Sequence, residues 1–131
     1  MTIRRDEDAE IRRFLAAIGA IEGVHVQRVH VIKARLPSGA WLTSTTPGTP
    51  DTFICLNGKP LFLEWKTVRG KDEESQKVWH AAYRAAGGVV WVCRDAAKAV
   101  RDLADLATGE TRTALLAAAE RLTQALTVTE P

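Results

Sequence analysis

An α/β fold, a mixed central β-sheet flanked by helices, is what this sequence predicts, and three observations carry the prediction. Residues 8–22 set Ile11, Phe14, Leu15 and Ile18 at helical spacing, the signature of an amphipathic helix. Two β-rich runs, Thr52–Leu56 and Leu61–Trp65, flank Asn57-Gly58, a hairpin signal because a type I′ turn needs positive φ at both central residues. The continuous apolar run Val89–Cys93 lies between two helical patterns, as expected for a strand buried on both faces and reached by a crossover.

The remaining elements follow in order. Val24 to Leu36 alternates apolar and polar residues with one phase slip after Val26, which reads as a strand carrying a bulge. Pro37-Ser38-Gly39 turns the chain into a second strand near Trp41–Thr45. Residues 46–50, Thr-Pro-Gly-Thr-Pro, deliver Asp51 to the start of the third strand. Asp72 is placed to cap a helix that runs to about Ala86 and ends at Gly87-Gly88. Asp95 caps a helix over Ala96–Ala107, and a last helix covers about Thr113–Leu126. The predicted order is α-β-β-β-β-α-β-α-α, an α/β sandwich.

With 131 residues and 46% hydrophobic content, the chain suits one domain around a single core, residues 1–131. No apolar stretch reaches membrane-spanning length, and the charged start MTIRRDEDAE has no apolar signal centre, so a cytoplasmic protein is expected. Cys55 and Cys93 sit inside apolar β-branched runs without paired metal-ligand spacing, and read as buried, reduced thiols. A net charge of +2 is too small to identify a polyanionic partner, although twelve of the eighteen basic residues are arginine, whose fork matches phosphate.

The hairpin carries the chemistry. With Asn57 and Gly58 as the loop, Leu56 faces Lys59, Cys55 faces Pro60, and Asp51 faces Glu64. The last is a non-hydrogen-bonded pair with Cα atoms about 4.5 Å apart. Lys66 points to the same face about 6.5–7 Å further on, while Ile54, Leu56, Leu61, Leu63 and Trp65 point to the other. Opposed carboxylates destabilise a sheet unless they share a proton or bind a cation. Two carboxylates and a lysine around a hard divalent ion form a phosphodiester-hydrolysis set. On hairpin geometry alone, Glu64 and Lys66 could equally face solvent on an amphipathic strand, with Asp51 a turn former.

The ordered set Gly48-Thr49-Pro50-Asp51, Glu64-Trp65-Lys66, Gly70, Gln76 and Gly87-Gly88-Val89 resembles the VRR-NUC branch of the PD-(D/E)xK nuclease superfamily, over about residues 8–106. The resemblance implies a restriction-endonuclease-like fold and a Mg²⁺- or Mn²⁺-dependent DNA endonuclease, structure-specific for junctions, flaps or nicked DNA. The alternative is a non-catalytic nucleic-acid-binding protein on the same scaffold. The resemblance makes Asp51, Glu64 and the Trp65 backbone carbonyl metal ligands, gives Lys66 the attacking water, and sets Gln76 beside substrate. It calls for an acid on the first helix, for which spacing favours Glu10 over Glu7. It also implies a homodimer. Trp65 departs from the usual aliphatic residue, so the core beneath must hold an indole, and Asp72 replaces the usual Ser or Thr.

Arg69 and Lys71 flank the glycine loop and are either phosphate contacts or an exposed basic loop. His25, His30 and His80 share no ligand spacing, though His80 lies one helical turn past Gln76. Trp79 and Tyr83 suit core packing better than base stacking. The stripe Leu115, Ala119, Leu122 and Leu126 covers the domain's own core or meets a second copy.

Overall fold

The computed structural model describes residues 7–29, 33–43, 46–67 and 73–129. Among these, four helices and six strands run in the order α1 (Glu7–Ile18), β1 (Val24–Arg28), β2 (Lys33–Arg35), β3 (Trp41–Thr43), β4 (Thr52–Leu56), β5 (Lys59–Trp65), α2 (Glu74–Ala85), β6 (Val90–Cys93), α3 (Ala96–Leu106) and α4 (Gly109–Thr129). The architecture is mixed α/β. A four-stranded sheet has the order β1-β4-β5-β6, antiparallel except for the parallel β5–β6 pair that α2 connects. None of the described helices is long and apolar enough to cross a membrane.

The β4–β5 hairpin has the expected register: Leu56 pairs with Lys59, Cys55 with Pro60, and the ladder continues to Thr52 and Leu63. Asn57 at φ 49° and Gly58 at φ 83° form the turn, the two positive values a type I′ turn requires. Alternation then sorts the side chains. Ile54, Leu56, Leu61, Leu63 and Trp65 are buried on one face, where they meet Ile11, Phe14 and Ile18 of α1, Val100 and Leu103 of α3, and Leu115 of α4. Trp65 is the largest of these, held edge-on to Phe14 at 5.1 Å between ring centroids. Its indole N–H is buried with no hydrogen-bond partner, an apolar fit that costs about 1–3 kcal/mol of desolvation.

The opposite face packs on α2 through a smaller aromatic cluster, in which Phe62 lies 5.3 Å from Phe53, 5.0 Å from Trp79 and 5.2 Å from Tyr83. Trp79 and Tyr83 therefore pack against the sheet.

Several boundaries differ from the sequence reading. The strand expected over Val24–Leu36 is two strands: β1 joins the sheet, whereas β2 turns away and pairs with β3 as a separate ribbon. Helix α1 stops at Ile18 rather than continuing to 22, because Gly19 begins a series of tight turns. Helix α4 begins four residues early, at Gly109, because Asn57 accepts from the Thr108 N–H at 3.0 Å and orders its start. The run at Val89–Cys93 forms an edge strand, with Trp91 and Val92 only half-buried. In the stripe on α4, Leu115 and Ala119 are buried in the chain's own core and Leu122 packs against it, while the side chain of Leu126 lies outside the described residues.

Candidate active site

The site forms where β4 begins and β5 and β6 end. Alternation puts Asp51, Glu64 and Lys66 on the α2 face of the sheet, one pair beyond the last paired residues Thr52 and Leu63. Asp51 is fixed from three directions. Its backbone carbonyl accepts from the Val29 N–H at 2.7 Å, one side-chain oxygen from the Thr52 hydroxyl at 3.2 Å, and the other from the Trp65 N–H at 3.3 Å. Its carboxyl also lies within interaction range of that of Glu64, its cross-strand neighbour. Two carboxyls this close favour a shared proton or a bound cation. As full charges about 4 Å apart they would repel by about 4 kcal/mol in a protein-like dielectric, a large share of a total stability of about 5–15 kcal/mol.

Burial raises the Asp51 carboxyl above its ordinary value, against the interaction with Glu64 and the hydrogen bonds from Trp65 and Thr52 that pull it down. Glu64 is only 4% exposed. Behind it stands His80 of α2, 2% exposed, with Nε2 3.9 Å from a Glu64 oxygen. That distance is too long for a hydrogen bond but short enough for a protonated imidazole to attract the carboxylate.

Pro50 shapes the third oxygen. Continuing the register one step sets Trp65 opposite Pro50, in a position where an antiparallel pair exchanges both backbone bonds. Proline has no N–H, so it offers the Trp65 carbonyl no donor. The Trp65 N–H goes to the Asp51 carboxylate.

Lys66 is pinned by its backbone N–H to the Cys93 carbonyl at 2.9 Å, and by its ammonium to Gln76 Oε1 at 2.7 Å. The same Gln76 oxygen accepts from the Glu73 N–H at 2.8 Å, which ties Lys66 to the first turn of α2. That turn abuts the loop before Asp51. A Cβ on Gly48, at φ +88°, would stand 2.1 Å from the Ser75 carbonyl oxygen, so only glycine allows the approach.

Of the two acids weighed on the first helix, Glu10 turns into the core. Glu10 is 1% exposed, and its carboxylate accepts from the Ala96 N–H at 2.7 Å and from Arg13 at 3.0 Å. It caps α3 and belongs to the core face. Glu7, one turn earlier, faces the site: burial raises its carboxyl first, the charge of Asp51 second, and Lys66 pulls it back. Arg69, Gly70, Lys71 and Asp72 lie outside the described residues, as does His30. Glu73 takes the N-cap position of α2. His25 lies exposed on β1.

Sequence reasoning missed two arginines at this end of the sheet. Arg28 closes β1 opposite Thr52, pairs with Asp8 at 3.0 Å and pulls the Asp51 carboxyl down. Arg94 follows β6 and donates to the Thr67 carbonyl. Their signal was positional: each is the residue at which a strand reaches the end where the parallel pair finishes, the usual ligand edge of such sheets. Cys93 sits below, its thiol pushed up to about 12 by burial and then by nearby carboxylates. Neither cysteine is in a disulfide.

Among the described residues, no group of three or more His, Cys, Asp or Glu side chains is placed to hold a metal. The two side chains that meet here are the Asp51 and Glu64 carboxylates. Comparison of the chain with protein-family models, with curated proteins and with solved structures finds no match.

Proposed function

We propose that this protein is a Mg²⁺- or Mn²⁺-dependent nuclease that hydrolyses phosphodiester bonds in DNA, on a restriction-endonuclease-like sheet of the PD-(D/E)xK kind. The observation that carries the reading is the meeting of the Asp51 and Glu64 carboxyls on the sheet face that also bears Lys66. A chain without use for a cation or a proton there gains nothing from pressing two acids together.

The donor set fits such an ion. Asp51, Glu64 and the Trp65 carbonyl would hold it, all hard oxygens, and so few protein ligands leave room for water and phosphate oxygens. A bound divalent ion would polarise a phosphoryl oxygen and acidify a water.

The chain's own groups do the rest. Lys66, steadied by Gln76, keeps a positive charge beside the phosphoryl oxygens while a water oxygen bonds to phosphorus and the ester oxygen leaves. Glu7 supplies the helix-borne acid in this reading, near enough to Asp51 and Lys66 to feel both. His80 backs Glu64 and sets its orientation. Arg28 and Arg94 flank the site where a phosphate backbone would pass, and Arg69 and Lys71, close after Lys66 in the sequence, are further phosphate contacts in this reading. The reading includes a homodimer, checked by sedimentation.

The test is incubation of the purified protein with plasmid and with branched DNA, in Mg²⁺, Mn²⁺ or EDTA. Nicking or cutting that requires metal and disappears in Asp51→Asn and Lys66→Ala is expected. Binding without cleavage in every metal would leave a nucleic-acid-binding protein and end the enzymatic reading.

A further inference from the structure

The β2–β3 ribbon takes no part in the core, and every described side chain from Ala34 to Leu42 is exposed. It nevertheless carries three of the large exposed hydrophobics: Leu36, Trp41 at 62% and Leu42 at 58%. A tryptophan this exposed costs solubility unless something covers it. The charge around it narrows what that is. From Gly23 to Pro50 the sequence has no Asp or Glu, while it holds Arg28, Lys33 and Arg35. A surface of apolar and basic residues without acid suits a polyanion.

Register sharpens the picture. Arg35 pairs with Trp41, so these two share one face of the ribbon, and positions 34 and 42 the other. The Arg35 guanidinium lies 5.5 Å from the centroid of the Trp41 ring, over one side of it. The indole is thus braced by a cation on one side, and its exposure leaves the other side for a second flat partner. Bases within a duplex spend their faces on one another; an unpaired base has one to offer.

The ribbon also stands in the right place. It is inserted between β1 and β4, and its two roots are joined by the bond from the Val29 N–H to the Asp51 carbonyl. It therefore leaves the sheet at the same end as the carboxyl pair. Resting on the nuclease reading, we infer that the β2–β3 ribbon docks a nucleic acid by stacking an unpaired base on Trp41 against Arg35, next to the phosphate to be cut.

The test uses the full chain in EDTA, where cleavage cannot intrude. Fluorescence anisotropy compares a labelled single strand, a blunt duplex, and that duplex with a single-stranded extension. The extended duplex is expected to bind more tightly than the blunt one. Trp41→Ala should weaken the single strand and the extended duplex about tenfold, with the blunt duplex nearly unchanged, and Trp41→Tyr should restore most of the loss. Arg35→Ala should weaken both and reduce the salt slope by about one ion. Equal affinity of all three DNAs for Trp41→Ala and wild type overturns the inference, as does an equal loss on all three. A change in sedimentation mass with Trp41→Ala, without change in DNA affinity, overturns it in favour of a contact between copies. Cleavage of plasmid in Mg²⁺ is scored separately, so a wild-type protein that stacks bases but never cuts sinks the enzyme and leaves the ribbon standing.

Discussion

At the turn end of the β4–β5 hairpin, Asn57 donates to the Thr111 hydroxyl at 3.1 Å and accepts from the Thr108 N–H, and Thr111 in turn donates to the Glu22 carbonyl at 2.8 Å. Each of these polar groups is answered by another part of the chain. At the open end, the same two strands and the same register bring Asp51 and Glu64 face to face, with a buried histidine behind and a proline that withholds a donor from the Trp65 carbonyl. The turn end is stabilised by the protein alone, whereas in the proposed reading the open end is completed by a proton or a cation. One hairpin thus contains both a structural tie and a reactive gap.

The largest effect is expected from closing the gap. Asp51→Asn should cut metal-dependent cleavage by more than about a hundredfold, beyond what loss of an outer partner costs. It should also raise the melting temperature measured in EDTA, because the opposed acids are gone, and abolish the further rise that Mg²⁺ gives the wild type. A variant that melts lower in EDTA and still gains from Mg²⁺ would show that the pair is not the source of the strain.

Next is the backing group. His80→Ala should weaken Mg²⁺ binding, read by calorimetry, about 10–100-fold, with partial rescue in His80→Gln if the ring's role is to position Glu64. An unchanged affinity would make His80 a packing residue only.

Breaking the other end should do the reverse. Asn57→Ala loses two hydrogen bonds and forces alanine to positive φ, together about 2 kcal/mol, a fall in melting temperature of roughly 6–10 °C for a chain of this size. Its metal affinity should be unchanged.

The smallest effect is the response to pH. The folded protein raises the Asp51 and Glu7 carboxyls, mainly by burial, so it favours their protonated forms more than the unfolded chain does. The associated stability is present below the ordinary carboxylate value, about 3.9–4.3, and is lost as pH rises through the raised folded values. Metal-free protein should therefore melt progressively lower over that window. Saturating Mg²⁺ or Asp51→Asn should flatten the trend.

The hairpin was legible because its signals are local: Asn-Gly dictates the turn, alternation dictates the faces, and from these the meeting of Asp51 and Glu64 follows by counting. The ribbon was not, since β1 and β2 have similar local patterns and only long-range pairing shows that one joins the sheet and the other leaves it. Glu7 and Glu10 posed a different difficulty. Three residues apart on a helix, they occupy neighbouring faces, and what separates them is the N-terminus of α3, which claims the Glu10 carboxylate from 86 residues away. The apolar run at β6 showed that a strand is covered, but an edge strand with one packed face and an interior one can read alike. Trp65 was legible as an anomaly; that Phe14 would receive its ring was not.

The close approach of Gly48 to Ser75 makes one mechanical part of two that the sequence keeps apart. The segment bearing Asp51 and the helix bearing Gln76 touch backbone to backbone, with no side chain between them to yield. The contact continues from the loop to the helix, and from Gln76 to the lysine ammonium. In the proposed reading, the carboxyl and the ammonium thus share one mount.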